Sequence, residues 1–135
     1  MRRFETVFGD YTGREHCVGT NSGTSALHVA LLAAGVGPGN EMVTTPHTWI
    51  SKSRAISCCG ATPVFADVDP RTGNLDPARA ERAIGRKTKA LLPVDLYGNP
   101  ADLEVKLRPV AAALREATTT ASRGGVPPPA NGAIP

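Results

Sequence analysis

The chain has 135 residues, is 41 % hydrophobic but only 4 % aromatic, and carries a formal net charge of +3. That length fits one domain and can bury a core. The charge is scattered, with no basic run longer than the Arg2-Arg3 pair, which argues against a nucleic-acid partner; no apolar stretch approaches membrane-spanning length and no signal segment opens the chain.

In chain order, Glu15 to Thr20 reads as a short strand running into an Asn21-Ser22-Gly23 turn. Thr24 to Ala34 is apolar nearly all round, as expected for a helix buried in a larger body, and the Gly35-Val36-Gly37-Pro38-Gly39 run stops it. Glu41 to Thr45 is the next strand, Trp49 to Cys59 a helix, and Pro63 to Asp67 a third strand. Asp76-Pro77 opens a helix with a side-chain cap and a proline in the first turn; Ala78 to Ile84 continue it and Gly85 ends it. Lys89 to Val94 forms a fourth strand, Tyr97-Gly98-Asn99-Pro100 a turn, and Ala101 to Ala117 a helix. Strands separated by helices predict an α/β fold, a mostly parallel sheet with right-handed crossovers and helices on both faces. The predicted organisation is a partial domain over 1–104, a divergent helical segment over 105–117 and a disordered Gly/Pro-rich tail over 118–135. Cys17, Cys58 and Cys59 make no zinc spacing and no even disulfide set, so a reducing cytoplasm is the simpler setting.

Two segments carry chemistry. In Ser22-Gly23-Thr24-Ser25 a helix begins, and its unpaired N–H groups and dipole favour an anion. Gly23 allows close approach of a phosphate, and the hydroxyls of Thr24 and Ser25 can add hydrogen bonds. On local spacing alone, an ordinary capped turn outweighs a phosphate site, and the segment fits neither the dinucleotide nor the Walker pattern. Trp49, the only tryptophan, follows Thr45-Pro46-His47-Thr48 just past a strand's carboxyl end, where open α/β sheets place ligands. It can stack on a planar heteroaromatic or fill a core or rim position. His47 reads as a loop residue and His28 as a core histidine. Asp67 and Asp69 suit a strand end entering a turn better than a metal pair, and no metal site is expected.

Five segments stand in one order: Val18 to Leu27, Gly37 to Glu41, Thr45 to Trp49, Gly60 to Asp69, and Pro93 to Asp102. Together they resemble the DegT/DnrJ/EryC1/StrS sugar aminotransferases, pyridoxal-phosphate enzymes of the aspartate-aminotransferase fold type, over roughly Phe4 to Leu103. The resemblance implies that the chain is part of the large cofactor-binding domain of that fold. Thr24 and Ser25, with the backbone around Gly23, would hold the phosphate of pyridoxal 5'-phosphate, and Trp49 would stack on its ring. It further implies amino transfer, usually from glutamate, to a nucleotide-linked keto sugar in amino-sugar and polysaccharide biosynthesis, carried out by a homodimer.

The family's Asp-Ala-Ala aspartate, which pairs with the pyridinium nitrogen, and its later Schiff-base lysine have no counterpart in these 135 residues. Lys52, Lys87, Lys89 and Lys106 are present, but none stands in the family's lysine context. The chain is therefore expected to supply cofactor-binding residues and no catalytic one, and to be inactive by itself. From about Val105 its Ala/Arg/Thr/Pro/Gly composition resembles out-of-frame translation of GC-rich DNA. A non-enzymatic phosphate- or nucleotide-binding module and a non-functional truncated product remain the alternatives.

Overall fold

The computed structural model describes residues 1–101 together with Val110 and Ala112. Helix α1 spans Arg2–Thr12, α2 Gly23–Ala33, α3 Ser51–Cys58 and α4 Pro77–Ala83; strand β1 spans Glu41–Thr44, β2 Thr62–Phe65 and β3 Thr88–Leu92. A 3-10 turn covers Leu96–Gly98. The helix expected over Ala101 to Ala117 and the tail from Thr118 lie outside the described residues, apart from Val110 and Ala112, which are helical.

The three strands form one parallel sheet in the order β2-β1-β3, as expected for strands joined by helical crossovers. Because β1 is central, successive side chains enter different cores. Met42 packs with Leu31, Val36, Ala55, Ile56 and Cys59 on the side covered by α2 and α3. Val43 packs with Ala66, Leu75, Ala80, Ala101 and Val110 on the side covered by α4. Pro63 lies in β2, at the sheet edge, where its missing N–H leaves no ladder bond unmade. The Asp76 cap is formed as expected: its Oδ1 accepts from Ala78 N at 2.8 Å and Arg79 N at 3.2 Å.

Three features depart from the sequence reading. Residues Glu15 to Thr20 are not a strand. No described strand pairs with them, and the Gly19 N–H donates instead to Glu5 Oε1 of α1 at 2.8 Å, which ties the segment to that helix. Helix α1 itself was not anticipated. It ends where Gly13 adopts φ 66°, a left-handed cap that glycine takes without strain. Helix α2 is less covered than its composition suggested, since only Leu31 is fully buried while Val29 and Leu32 stay exposed among the described residues.

Candidate functional site

The carboxyl ends of β1 and β3 and the amino ends of α2 and α3 meet on one side of the sheet. Ser22, in extended backbone, caps α2: its Oγ accepts from Ser25 N at 3.1 Å and donates to Ser25 Oγ at 3.0 Å. The next carbonyl bond goes from Ala26 N to Ser22 O at 3.0 Å. The N–H groups of Gly23 and Thr24 are left with no partner among the described residues, at the positive end of the helix. A Cβ added at Gly23 would meet no other part of the described fold within 4 Å.

Thr24 Oγ1 donates to Ser51 Oγ at 3.0 Å, joining the start of α2 to the start of α3. Two hydroxyls can exchange roles, so a donating Ser51 would free the Thr24 proton for another acceptor. Ser25 keeps its own hydroxyl proton, because its oxygen accepts from Ser22. The three residues singled out in this turn are thus contiguous at one helix end, and the cap that organises them is Ser22.

Trp49 sits in the connection between β1 and α3 with 78 % of its surface exposed. It lines a cavity of about 300 Å³ together with Leu27, Thr48, Ser51, Lys52 and Leu92. Ser51 therefore belongs both to this cavity and to the hydroxyl pair at the start of α2. A roomier concavity of about 720 Å³ lies between α1 and the segment after it, lined by residues such as Glu5, Asp10 and Arg14 and by none of the residues of the Trp49 cavity.

Lys52 was not assigned a place by the sequence reading, and it is the most unusual side chain here. It is only 5 % exposed, and its Nζ donates to Thr45 O at 2.5 Å. Burial pulls its pKa down from 10.5 to about 8. No carboxylate pairs with it among the described residues.

Beyond β3, Tyr97 adopts φ 55°, ψ 30°, a left-handed conformation uncommon for a residue with a side chain. The segment is held by buried Asn74, whose Nδ2 donates to Asn99 O at 2.8 Å and whose Oδ1 accepts from Leu96 N at 3.2 Å. Tyr97 meets His47 edge to face at 6.0 Å, so the loops after β1 and β3 touch. Asp69 is engaged with Arg71 at 2.9 Å and Asp67 with Arg79 at 3.0 Å. Among the described residues no helix is long and apolar enough to cross a membrane.

The profile of the DegT/DnrJ/EryC1/StrS aminotransferase family matches residues 1–114. GDP-perosamine synthase of Caulobacter vibrioides is 48 % identical over 101 residues, covering 75 % of this chain and 27 % of that protein. UDP-2-acetamido-2-deoxy-3-oxo-D-glucuronate aminotransferase of Pseudomonas aeruginosa is 43 % identical over 104 residues, 77 % of this chain and 29 % of the relative. The chain thus spans less than a third of the length of these relatives. Among solved structures, S. venezuelae DesV in complex with a ketimine intermediate superposes with a TM-score of 0.72 at 42 % identity, over 90 % of this chain and 30 % of that one. NtdA from Bacillus subtilis with bound cofactor PMP gives 0.73 at 30 % identity, over 90 % and 26 %.

Proposed function

Because the chain belongs to the DegT/DnrJ/EryC1/StrS aminotransferase family, we propose that it furnishes the phosphate cradle and the ring-stacking residue of a pyridoxal-phosphate site for amino transfer to a nucleotide-linked keto sugar. The residues present fit that group. Gly23 and Thr24 offer two N–H donors with no partner among the described residues, Ser25 a free hydroxyl proton, and Trp49 a large exposed ring on the adjoining cavity. The observation that carries the reading is the joining of these parts. The Thr24–Ser51 hydroxyl pair ties the cradle helix to the segment that carries Trp49.

When bound, the cofactor supplies an electron sink for moving an amino group. The chain's own part is to bind and orient. The helix end takes the phosphate charge, Trp49 limits the ring to one plane, and the half-buried Leu27 and Leu92 keep water from one side of the cavity. Glutamate as amino donor, a homodimeric assembly and a reducing cytoplasmic setting accompany this reading. The 135 residues by themselves give no turnover, because they include neither a lysine in the family's context nor the aspartate that holds the pyridinium nitrogen.

Trp49 is the only tryptophan, which makes it a direct reporter. Titration with pyridoxamine phosphate should quench its fluorescence saturably, and inorganic phosphate should compete. A chain that melts cooperatively yet shows no quenching at millimolar ligand would remove the reading. Turnover of glutamate and a nucleotide-linked keto sugar by the chain alone would overturn its inactivity.

A further inference from the structure

Lys52 stands on the same helical stripe as Ala55, Ile56 and Cys59, which places an amine where an apolar residue would pack. Lys52 is itself buried, and its single acceptor among the described residues is the Thr45 carbonyl. A cation in that position has three ordinary remedies: a carboxylate partner, exposure to water, or loss of its proton. The first is missing among the described residues, and the second is limited by its 5 % exposure. Lys87 and Lys89, by contrast, are exposed to water.

We propose that Lys52 is a carbonyl-reactive amine of the cavity it shares with Trp49, condensing with the aldehyde of pyridoxal phosphate, an inference that rests on the cofactor reading above. In its neutral form the Lys52 nitrogen adds to the aldehyde carbon. The oxygen leaves as water, a C=N bond replaces the C=O bond, and the reverse step is hydrolysis. No oxidant or reductant takes part. The depressed basicity of this amine leaves far more of it neutral near pH 7.5 than of the exposed lysines. The Thr45 carbonyl holds the amine on the β1 side until it swings into the cavity, and a lysine stem has the rotatable bonds for that swing.

The test is borohydride trapping on the full chain. After brief incubation with pyridoxal phosphate at pH 7.5 and reduction, peptide mass mapping should find the phosphopyridoxyl group on Lys52 at a rate roughly tenfold or more above Lys87 and Lys89. Lys52→Met and Lys52→Arg, both shown to melt cooperatively, should lose that label while Lys87 and Lys89 label as before. Labelling of the exposed lysines alone, or of Lys52 no faster than they, would overturn the inference. Pyridoxamine phosphate separates the two readings, because it has no aldehyde. Quenching of Trp49 by it without label on Lys52 removes only the reactive-amine assignment, and absence of both removes the cofactor reading as well.

Discussion

Thr24 and Ser51 face each other at 3.0 Å, hydroxyl to hydroxyl, across the junction of α2 and α3. The pair is half-buried, and its Ser51 forms part of the wall of the cavity beside Trp49. It therefore couples two elements that the sequence separates by more than a full strand. Thr24→Val keeps the shape and removes one hydroxyl, leaving Ser51 to find another partner. The expected cost is about 0.5–1.5 kcal/mol in unfolding free energy. Ser51→Ala should cost a similar amount, and the double variant should cost less than the two singles added, because both remove one interaction. Chemical denaturation of the four proteins in the cycle checks this; full additivity would show the pair to be energetically idle.

Gly23 separates ligand binding from stability. A methyl group there meets no described atom within 4 Å, and the backbone is not in the left-handed region. Gly23→Ala is therefore expected to leave the melting temperature within a few degrees of the parent, corresponding to about 0.5 kcal/mol or less. The same methyl group adds bulk at the helix end where the proposed phosphate would approach the Gly23 and Thr24 N–H donors. Affinity for pyridoxamine phosphate, read by Trp49 fluorescence, should fall about tenfold or more, the equivalent of losing one charge-assisted hydrogen bond. Equal loss of both properties would mean that the glycine is needed for the turn and not for an anion.

Much of this architecture was legible because the local signals agreed with one another. Asp76-Pro77 and the Gly35 to Gly39 run are capping and stopping chemistry, and they bound α4 and α2 within a residue or two. Strands β1, β2 and β3 were found because each is a short run of residues between such stops. The segment Glu15 to Thr20 carries the same kind of run, but a strand exists only by pairing, and its N–H at Gly19 is taken by Glu5. That bond depends on α1, whose Phe4, Val7, Phe8 and Tyr11 stand at helical spacing, a period the sequence reading passed over. The site was legible as residue types and less so as geometry. Gly23, Thr24, Ser25 and Trp49 could be named from the ordered segments, but the Thr24–Ser51 bond spans 27 residues and has no local sign. Lys52 did leave a sign, since it falls in register with Ala55, Ile56 and Cys59 on the buried stripe of α3. The sequence reading asked only whether Lys52 stood in the family's lysine context and did not use that register.

Trp49 is exposed, so it contributes little to the core and its removal should act on ligand affinity. Trp49→Phe keeps a ring and should retain most of the binding to pyridoxamine phosphate. Trp49→Leu removes the flat face and should weaken binding by about 0.5–1.5 kcal/mol, or roughly two- to twelvefold. Because both variants lose the fluorophore, the measurement is calorimetric. A Trp49→Leu chain that binds as tightly as the parent would show that the ring does not stack on the ligand.

Ser22 organises the cradle without lying among the residues first singled out. Its side chain accepts from Ser25 N, satisfying one of the orphan donors of α2. Ser22→Ala is expected to cost about 1 kcal/mol. Ser22→Asp should restore the cap and stabilise the helix end electrostatically, while repelling a phosphate placed at Gly23 and Thr24. Recovered stability combined with weakened phosphate binding is the diagnostic pair, read from a melt and a titration on the same sample. An aspartate variant that binds phosphate as well as the parent would place the anion elsewhere.

Lys52 gives stability an unusual dependence on pH. Below about 8 the ammonium persists in the folded and unfolded chain alike, and the folded state bears the whole cost of burying it. Between about 8 and 10.5 the folded chain has released a proton that the unfolded chain still holds, so unfolding takes up a proton and stability rises with pH. Cys59 opposes this at the alkaline end. Burial pushes its thiol pKa up, so the unfolded chain ionises first and stability falls above the ordinary thiol range. Comparison with Lys52→Met cancels the Cys59 contribution, which both proteins share. At pH 7 the methionine variant should be the more stable by on the order of 2 kcal/mol, less whatever the freed Thr45 carbonyl costs. Its advantage should shrink steadily as pH rises from 8 toward 10. A gap between the two proteins that stays constant over that range would show that Lys52 keeps its ordinary pKa in the fold.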